Sequence, residues 1–190
     1  MNELARFQLD REKALLLVID VQEKLVVTME PDAYRQMLDT LEMLLGGMDR
    51  MGIPAVVTEQ YPRGLGSTVP ELEAACRQGV VEKVSFGCCG EPAFLEKLKS
   101  YGRSQIVVTG MEAHVCVYQT VLGLLEAGFH VHVVGDGVIS RRENDLKVGL
   151  DSAARAGAVV TTAEIVLFQL MQSSKTPEFK EISALIKNRG

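Results

Sequence analysis

The sequence lacks the long apolar runs of a membrane protein. Its longest continuous apolar segment, Ala14–Ile19, ends at a carboxylate, whereas a helix that crosses a bilayer needs roughly 20 apolar residues. Residues 1–13 are polar and carry charges of both signs, unlike a secretory signal or a transit peptide. We therefore expect a cytoplasmic protein with no membrane partner.

Clusters of basic residues are also missing. The formal net charge is −5 and the isoelectric point is about 5.3. Affinity for nucleic acids comes mainly from grouped lysines and arginines that replace counterions on phosphates. We expect a small-molecule substrate and no nucleic-acid partner.

Metal and nucleotide motifs are absent as well. The four cysteines and three histidines include no Cys-x-x-Cys pair and no grouping with zinc spacing, so we expect reduced thiols. No Gly-x-Gly-x-x-Gly follows the first apolar run, and no Gly-Lys-Ser/Thr occurs, which argues against a nucleotide-binding oxidoreductase on this type of sheet. The sequence predicts neither a cofactor nor a metal.

The sequence does contain short β-branched runs that alternate with amphipathic segments. With 47% hydrophobic and 24% charged residues, the chain has the composition of one globular domain, which we place at 1–190. The predicted strands are Ala14–Ile19, Ile53–Thr58, Val80–Ser85, Gln105–Thr109, His130–Val134 and Ala158–Thr161. The predicted main helices are Asp32–Arg50, Pro92–Tyr101, Val115–Ala127 and Glu143–Ala156.

This alternation indicates the fold class. Strand–helix–strand units give a parallel sheet covered by helices. We predict a three-layer, doubly wound α/β domain with a mostly parallel six-stranded sheet and helices on both faces. Residues 173–190 form a peripheral helical tail, which either covers its own domain or docks on a second subunit.

Three reactive side chains follow or lie within predicted strands. Asp20 comes directly after the first strand, Lys83 lies in the third, and Cys116 follows the fourth near a helix start. Ligands bind beyond the carboxyl ends of parallel strands. Each residue also has an ordinary role: Asp20 as a turn former, Lys83 as a solvent-facing lysine of an edge strand, and Cys116 as a small buried hydrophobe.

Together the three residues make a coherent catalytic set. A helix start favours a thiolate, so we expect a lowered pKa for Cys116. Asp20 would accept the thiol proton, and Lys83 would keep that carboxylate ionised. The reaction implied is acyl transfer to water through a thioester.

The motifs that carry these residues resemble a known superfamily. They are the segment at 16–22 (LLVIDVQ), Glu82-Lys83 followed by Ser85-Phe86, and the segment at 109–117 (TGMEAHVCV). In order and spacing they are similar to the isochorismatase-like cysteine hydrolases over roughly residues 13–168. The resemblance implies an Asp–Lys–Cys catalytic triad, here Asp20, Lys83 and Cys116.

The resemblance implies further site features. A cis peptide would join Met111 to Glu112, and the backbone N–H groups of Glu112 and Cys116 would form the oxyanion hole. It also implies a homo-oligomer. Beside the triad, four residues are candidates for the pocket wall: Gln22, Tyr61, Phe86 and His114. His114 would be the general base of a Cys–His pair, but Asp20 already fills that role, so we favour a wall position for it.

One difference from the superfamily pattern narrows the range of expected substrates. Nicotinamidases carry an Asp-x-His pair and a further histidine after the second strand, whereas residues 58–66 contain no histidine. A metal-assisted nicotinamidase is therefore disfavoured. Isochorismate cleavage needs no thiol, so Cys116 favours an amide or related acyl substrate. Two alternatives stay open: a catalytically silent scaffold, and a vinyl-ether hydrolase.

Overall fold

A computed structural model describes residues 3–189 of the chain. The predicted domain 1–190 also includes Met1, Asn2 and Gly190, which lie outside the described residues. The strands are β1 Ala14–Ile19, β2 Ala55–Gln60, β3 Val80–Lys83, β4 Gln105–Met111, β5 His130–Ile139 and β6 Val159–Thr161. The α-helices are α1 Glu23–Val26, α2 Pro31–Arg50, α3 Pro62–Leu65, α4 Pro92–Ser100, α5 Tyr118–Glu126, α6 Glu143–Ala156, α7 Ala163–Met171 and α8 Phe179–Asn188. Short 3-10 turns are Glu3–Phe7, Pro70–Gln78 and Cys88–Gly90, and Ala113–Val117 is a π-helical turn.

The strands form one sheet in the order β3-β2-β1-β4-β5-β6, and every neighbouring pair is parallel. The predicted six-stranded α/β fold is confirmed. The chain runs outward from β1 to β3, then returns to place β4 beside β1. The direction of winding thus reverses between β1 and β4, and ligands of such sheets bind beyond the carboxyl ends of the strands at such a reversal.

Two hydrophobic cores cover the two faces of the sheet. Alternate residues of a strand point to opposite faces. Leu16 and Val18 of β1 therefore join the core under α2, α7 and α8. Leu15 and Leu17 join the core under α4, α5 and α6. The three predicted layers are thus helices, sheet and helices.

Two strands are longer than predicted. β5 continues to Ile139 through Gly135-Asp136-Gly137. This sequence is typical of a turn, but here it is part of the strand. The register of β4 with β5 shifts between Val108 and Gly110, which accommodates this irregularity. β4 continues to Met111, so it carries the backbone right up to the site described below.

Other boundaries differ by a few residues. β2 begins and ends two residues later than predicted, β3 ends at Lys83 instead of Ser85, and β6 begins one residue late. The predicted helix Val115–Ala127 is a π-helical turn followed by α5. These changes leave the predicted topology intact.

The tail packs on its own domain. Ile182 of α8 is fully buried against the core under α2. Arg50 at the end of α2 forms a 2.7 Å ion pair with Glu181, and Arg11 forms a 2.9 Å ion pair with Glu178. Helix α8 therefore covers part of its own domain. Across the described residues, we found no helix with the length and apolarity that a membrane crossing requires.

Candidate active site

The three predicted catalytic residues meet at one edge of the sheet. Asp20 directly follows β1, Lys83 ends β3, and Cys116 lies in the π-helical turn after β4. The register aligns Ile19 with Gly110 across β1 and β4. Parallel strands bring their carboxyl ends to one edge, so residues distant in sequence lie together.

Asp20 and Lys83 form a fully buried ion pair. Lys83 Nζ donates to Asp20 Oδ2 at 2.6 Å, and neither side chain has solvent exposure. Asp20 has a φ of 52°, a left-handed conformation that aspartate tolerates better than most residues. β3 is an edge strand, yet its lysine points inward, so the solvent-facing reading of Lys83 is wrong.

Lys83 is surrounded by oxygen acceptors. Besides Asp20, its ammonium donates to Gln60 Oε1 at 2.7 Å and to the carbonyl oxygens of Ser85 at 3.2 Å and Phe86 at 3.0 Å. These partners replace the hydration that burial removes. The ammonium is thereby fixed in place beside the carboxylate.

Thr58 and Gln60 were not singled out from the sequence. Thr58 Oγ1 donates to Asp20 Oδ1 at 2.8 Å in the interior. Each carboxylate oxygen of Asp20 thus has its own donor, Thr58 on one and Lys83 on the other. The signal that could have found both residues is the position of β2 between β1 and β3, which puts its carboxyl end beside Asp20.

Cys116 follows an irregular stretch of backbone. A Cβ atom on Gly110, whose φ is 107°, would overlap the carbonyl oxygen of Ile19 in β1. Only glycine fits this approach. A cis peptide bond joins Met111 to Glu112, where the resemblance places one. Val117 N then donates to the Glu112 carbonyl at 3.2 Å, closing the π-helical turn around Cys116.

The thiol of Cys116 is buried, and the charges of the Asp20 carboxylate and the Lys83 ammonium both act on its ionisation. Burial, followed by the negative charge of Asp20, raises the pKa of Cys116 to about 12, although Lys83 acts in the opposite direction. The predicted lowering of this pKa is therefore wrong. The partial charge of a helix start does not outweigh desolvation and an adjacent carboxylate.

Two further cysteines, Cys88 and Cys89, lie near the turn that carries Cys116. Burial raises the pKa of Cys88 to about 11 and that of Cys89 to about 12. Cys88 N donates to Thr120 Oγ1 at 3.0 Å, and the same hydroxyl donates to the Cys116 carbonyl at 2.6 Å. Thr120 therefore links the backbone of Cys88 to that of Cys116.

The four candidate wall residues divide into two pairs. Gln22 is fully buried, and its amide bonds the backbone of Gln60 and Gly66 at 2.6 to 3.1 Å. It holds the loop after β2 instead of lining an open pocket. His114 is partly buried, and its Nδ1 lies 2.9 Å from Ser140 Oγ. Tyr61 and Phe86 are 54% and 56% exposed, and their contact with substrate stays a prediction.

The residues beside the triad show no metal-binding group. Between residues 3 and 189 there is no set of three histidine, cysteine, aspartate or glutamate side chains placed to hold an ion. Glu59, near the end of β2, accepts hydrogen bonds from the backbone N–H and the hydroxyl of Thr68 at 2.6 and 2.8 Å.

The isochorismatase domain model matches residues 14–165. The chain belongs to the isochorismatase family. The matched range includes Asp20, Lys83 and Cys116, and it leaves α8 outside. Its extent agrees with the resemblance read from the sequence over residues 13–168.

Several family members are close in sequence. Isochorismatase domain-containing protein 1 of Salmo salar is 42% identical over 77% of this chain. The match spans 52% of that relative, so the chain covers about half the length of the curated protein it matches there. Isochorismatase domain-containing protein 2 of Danio rerio is 38% identical over 94% of this chain and 89% of its own.

Solved structures of isochorismatase-fold proteins share the whole architecture. The MAR1 ribonuclease of Caenorhabditis elegans has a TM-score of 0.88 at 36% identity, covering 95% of this chain and 93% of its own. The YcaC protein of Escherichia coli, an octameric hydrolase of unknown specificity, has a TM-score of 0.86 at 25% identity, covering 96% and 90%.

Proposed function

We propose that this isochorismatase-family protein is a cysteine hydrolase that cleaves a small amide or related acyl substrate through a thioester on Cys116. One observation carries the proposal. The buried Cys116 thiol lies within the electrostatic influence of Asp20, whose carboxylate is itself held by Lys83 and Thr58. A nucleophile, a base and a group that orients the base are the parts that covalent catalysis requires.

In the first step Asp20 accepts the thiol proton while sulfur attacks the acyl carbon. The C–S bond forms and the carbonyl electron pair moves onto oxygen. The backbone N–H groups of Glu112 and Cys116 stabilise that oxyanion in this proposal. Because burial and the Asp20 charge raise the pKa of Cys116, we place proton transfer together with the attack instead of before it.

The intermediate then collapses and the C–N bond breaks. Asp20 returns its proton to the departing amine, which leaves a thioester. In the second step Asp20 takes a proton from water, and the hydroxide attacks the thioester. The C–S bond breaks, sulfur regains a proton, and the carboxylic acid product leaves. Lys83 keeps Asp20 oriented throughout.

The presence of Cys116 favours acyl chemistry over vinyl-ether cleavage, which needs no thiol. The C. elegans relative is described as a ribonuclease, so RNA belongs in the substrate panel. The net charge of −5 disfavours it, because phosphate binding requires grouped cations. We retain a small molecule as the proposed substrate.

We also propose homo-oligomerisation in the cytoplasm. β6 is an edge strand, and three exposed apolar side chains lie on it and on the following helix: Val160, Ile165 and Phe168. The YcaC relative is an octamer. Sedimentation velocity tests this, and a monomer at all concentrations would reject it.

The experiment is a panel of amides, esters, a vinyl ether and an RNA oligomer. It compares wild type, Asp20→Asn and Cys116→Ser, with Cys76→Ser as the matched control outside the site. We expect amide or ester turnover to fall at least about a hundredfold in the first two variants and to persist in the control. Vinyl-ether turnover that survives Cys116→Ser, or no turnover at all, would favour the alternatives.

A further inference from the structure

Arg141, two residues after the end of β5, binds the side chain of Glu112 through two hydrogen bonds. Both Arg141 N and Arg141 Nε donate to Glu112 Oε2 at 3.0 Å. The Glu112 side chain is 8% exposed, whereas that of Arg141 is 56% exposed. One carboxylate oxygen thus receives a backbone and a guanidinium hydrogen bond from the same residue.

The preceding residue makes a second contact on the same turn. Ser140 Oγ lies 2.9 Å from His114 Nδ1, and Ser140 is buried. Glu112 and His114 are the residues four and two positions before Cys116. Ser140 and Arg141, which follow β5, therefore hold the side chains of His114 and Glu112, at and just before the start of the turn that carries the thiol.

The strands place these partners next to each other. Met111 at the end of β4 is in register with Ile139 at the end of β5, so Glu112 and Ser140 are the next residues beyond the paired ends. Helix α6 packs against the π-helical turn as well. A Cβ on Gly149 would lie 3.1 Å from the carbonyl of Ala113, which shows how closely the helix approaches the turn.

We propose that Arg141 and Ser140 are positioning residues for the catalytic turn, with Arg141 fixing the backbone N–H of Glu112 in the oxyanion hole. This inference rests on the proposed thioester mechanism and adds residues outside the triad. Neither residue needs to touch the substrate. Arg141 acts through the Glu112 side chain, and Ser140 acts through His114.

The charge of Arg141 has a second consequence. A developing oxyanion at the Glu112 N–H would lie close to the Glu112 carboxylate, and like charges at short range oppose each other. The guanidinium offsets this carboxylate. Arg141 therefore removes an electrostatic penalty in the same place where it fixes the backbone.

The test separates oxyanion stabilisation from thiol reactivity. Acylation of Cys116 by p-nitrophenyl acetate develops an oxyanion, whereas its alkylation by iodoacetamide does not. We expect Arg141→Met to slow acylation about tenfold, a fraction of what loss of a whole oxyanion donor costs, with alkylation unchanged. Ser140→Ala should slow acylation less. Arg142→Met is the matched control, because Arg142 is the adjacent exposed arginine, and it should match wild type.

A rescue variant addresses the charge. In Arg141→Met, adding Glu112→Gln removes the uncompensated charge while keeping an acceptor for the backbone N–H of residue 141, so part of the acylation rate should return. Equal acylation in wild type and Arg141→Met would overturn the inference. So would acylation and alkylation that fall by the same factor, because the effect of Arg141 would then not be specific to the oxyanion. Failure of wild-type Cys116 to acylate at all would instead overturn the thioester mechanism.

Discussion

Lys83 Nζ lies 2.6 Å from Asp20 Oδ2, and both side chains are completely buried. Removing either partner of such a pair leaves an uncompensated charge in the interior. The pair therefore serves both the stability of the carboxyl edge of the sheet and the orientation of the proposed base.

Replacing Lys83 by Met should lower the free energy of unfolding by about 3 to 5 kcal/mol, because the Asp20 carboxylate loses its counter-charge in a buried place. Urea denaturation measures the change. The matched control is Lys147→Met, which breaks the exposed pair with Glu143 on α6 and should change stability little. Equal losses in both variants would show that burial of the pair has no special role.

Thr58→Val keeps the volume of the side chain but removes the donor to Asp20 Oδ1. Loss of one hydrogen bond to a buried carboxylate should cost about 1 to 3 kcal/mol of stability and lower kcat more than it raises KM. Thr28→Val is the control, since the Thr28 hydroxyl bonds the nearby Leu25 carbonyl at the surface. An unchanged kcat in Thr58→Val would remove Thr58 from the account.

Asp20→Asn should separate turnover from thiol alkylation. The charge of Asp20 raises the pKa of Cys116, and the charge of Lys83 lowers it. Neutralising Asp20 should therefore shift the pH profile of Cys116 alkylation toward lower pH, while hydrolysis is lost with the base. Site-resolved mass spectrometry distinguishes Cys116 from the partly exposed Cys76. A shift toward higher pH would contradict the assigned role of the carboxylate charge.

The buried His132 should make the free energy of unfolding fall at acid pH. It is 1% exposed, its Nε2 has no hydrogen-bond partner within residues 3–189, and burial followed by the charge of His130 lowers its pKa from 6.5 to about 4. The fold therefore keeps it neutral while the unfolded chain binds a proton. Its contribution is complete above pH 6.5 and is lost as pH falls toward 4, by about 1.4 kcal/mol per pH unit.

Denaturant unfolding over this pH range checks the prediction. His132→Leu should flatten the dependence relative to wild type, because one proton uptake disappears. His130→Leu provides the control, since His130 lies exposed on the same strand and should leave most of the slope. A slope that is the same in His132→Leu and wild type would assign the acid sensitivity to other groups.

The three layers of helices, sheet and helices could be predicted from the sequence, because apolar residues are spaced differently in buried strands and in amphipathic helices. Ala14–Ile19 is bounded as predicted. The sequence does not predict the extension of β5 through Gly135-Asp136-Gly137, because glycine and aspartate locally favour turns. Pairing of Val138 and Ile139 with the end of β4 overrides that preference. Local sequence patterns indicate the conformation that a segment prefers by itself, whereas the final strand also depends on the neighbouring strands with which it pairs.

The residues of the candidate site can likewise be separated into those that the sequence predicts and those that only the folded structure reveals. Asp20 and Cys116 could be selected by chain position and residue type, and Lys83 by the motif around it. The partners Thr58, Gln60 and Arg141 could not, because their roles depend on which strands become neighbours. The error in the Cys116 pKa has the same origin. A helix start is visible in the sequence, but the depth of burial and the distance to Asp20 appear only once the chain is folded.

The most direct test of the account is to trap the covalent intermediate. Wild-type protein is mixed with p-nitrophenyl acetate, quenched in acid at short times, digested, and analysed by mass spectrometry. We predict one acetyl group on the peptide that contains Cys116, appearing before steady-state hydrolysis and absent in Cys116→Ser, with slower formation in Asp20→Asn. An acetyl group on another residue, or steady hydrolysis with Cys116 unmodified at every time, would contradict the thioester mechanism.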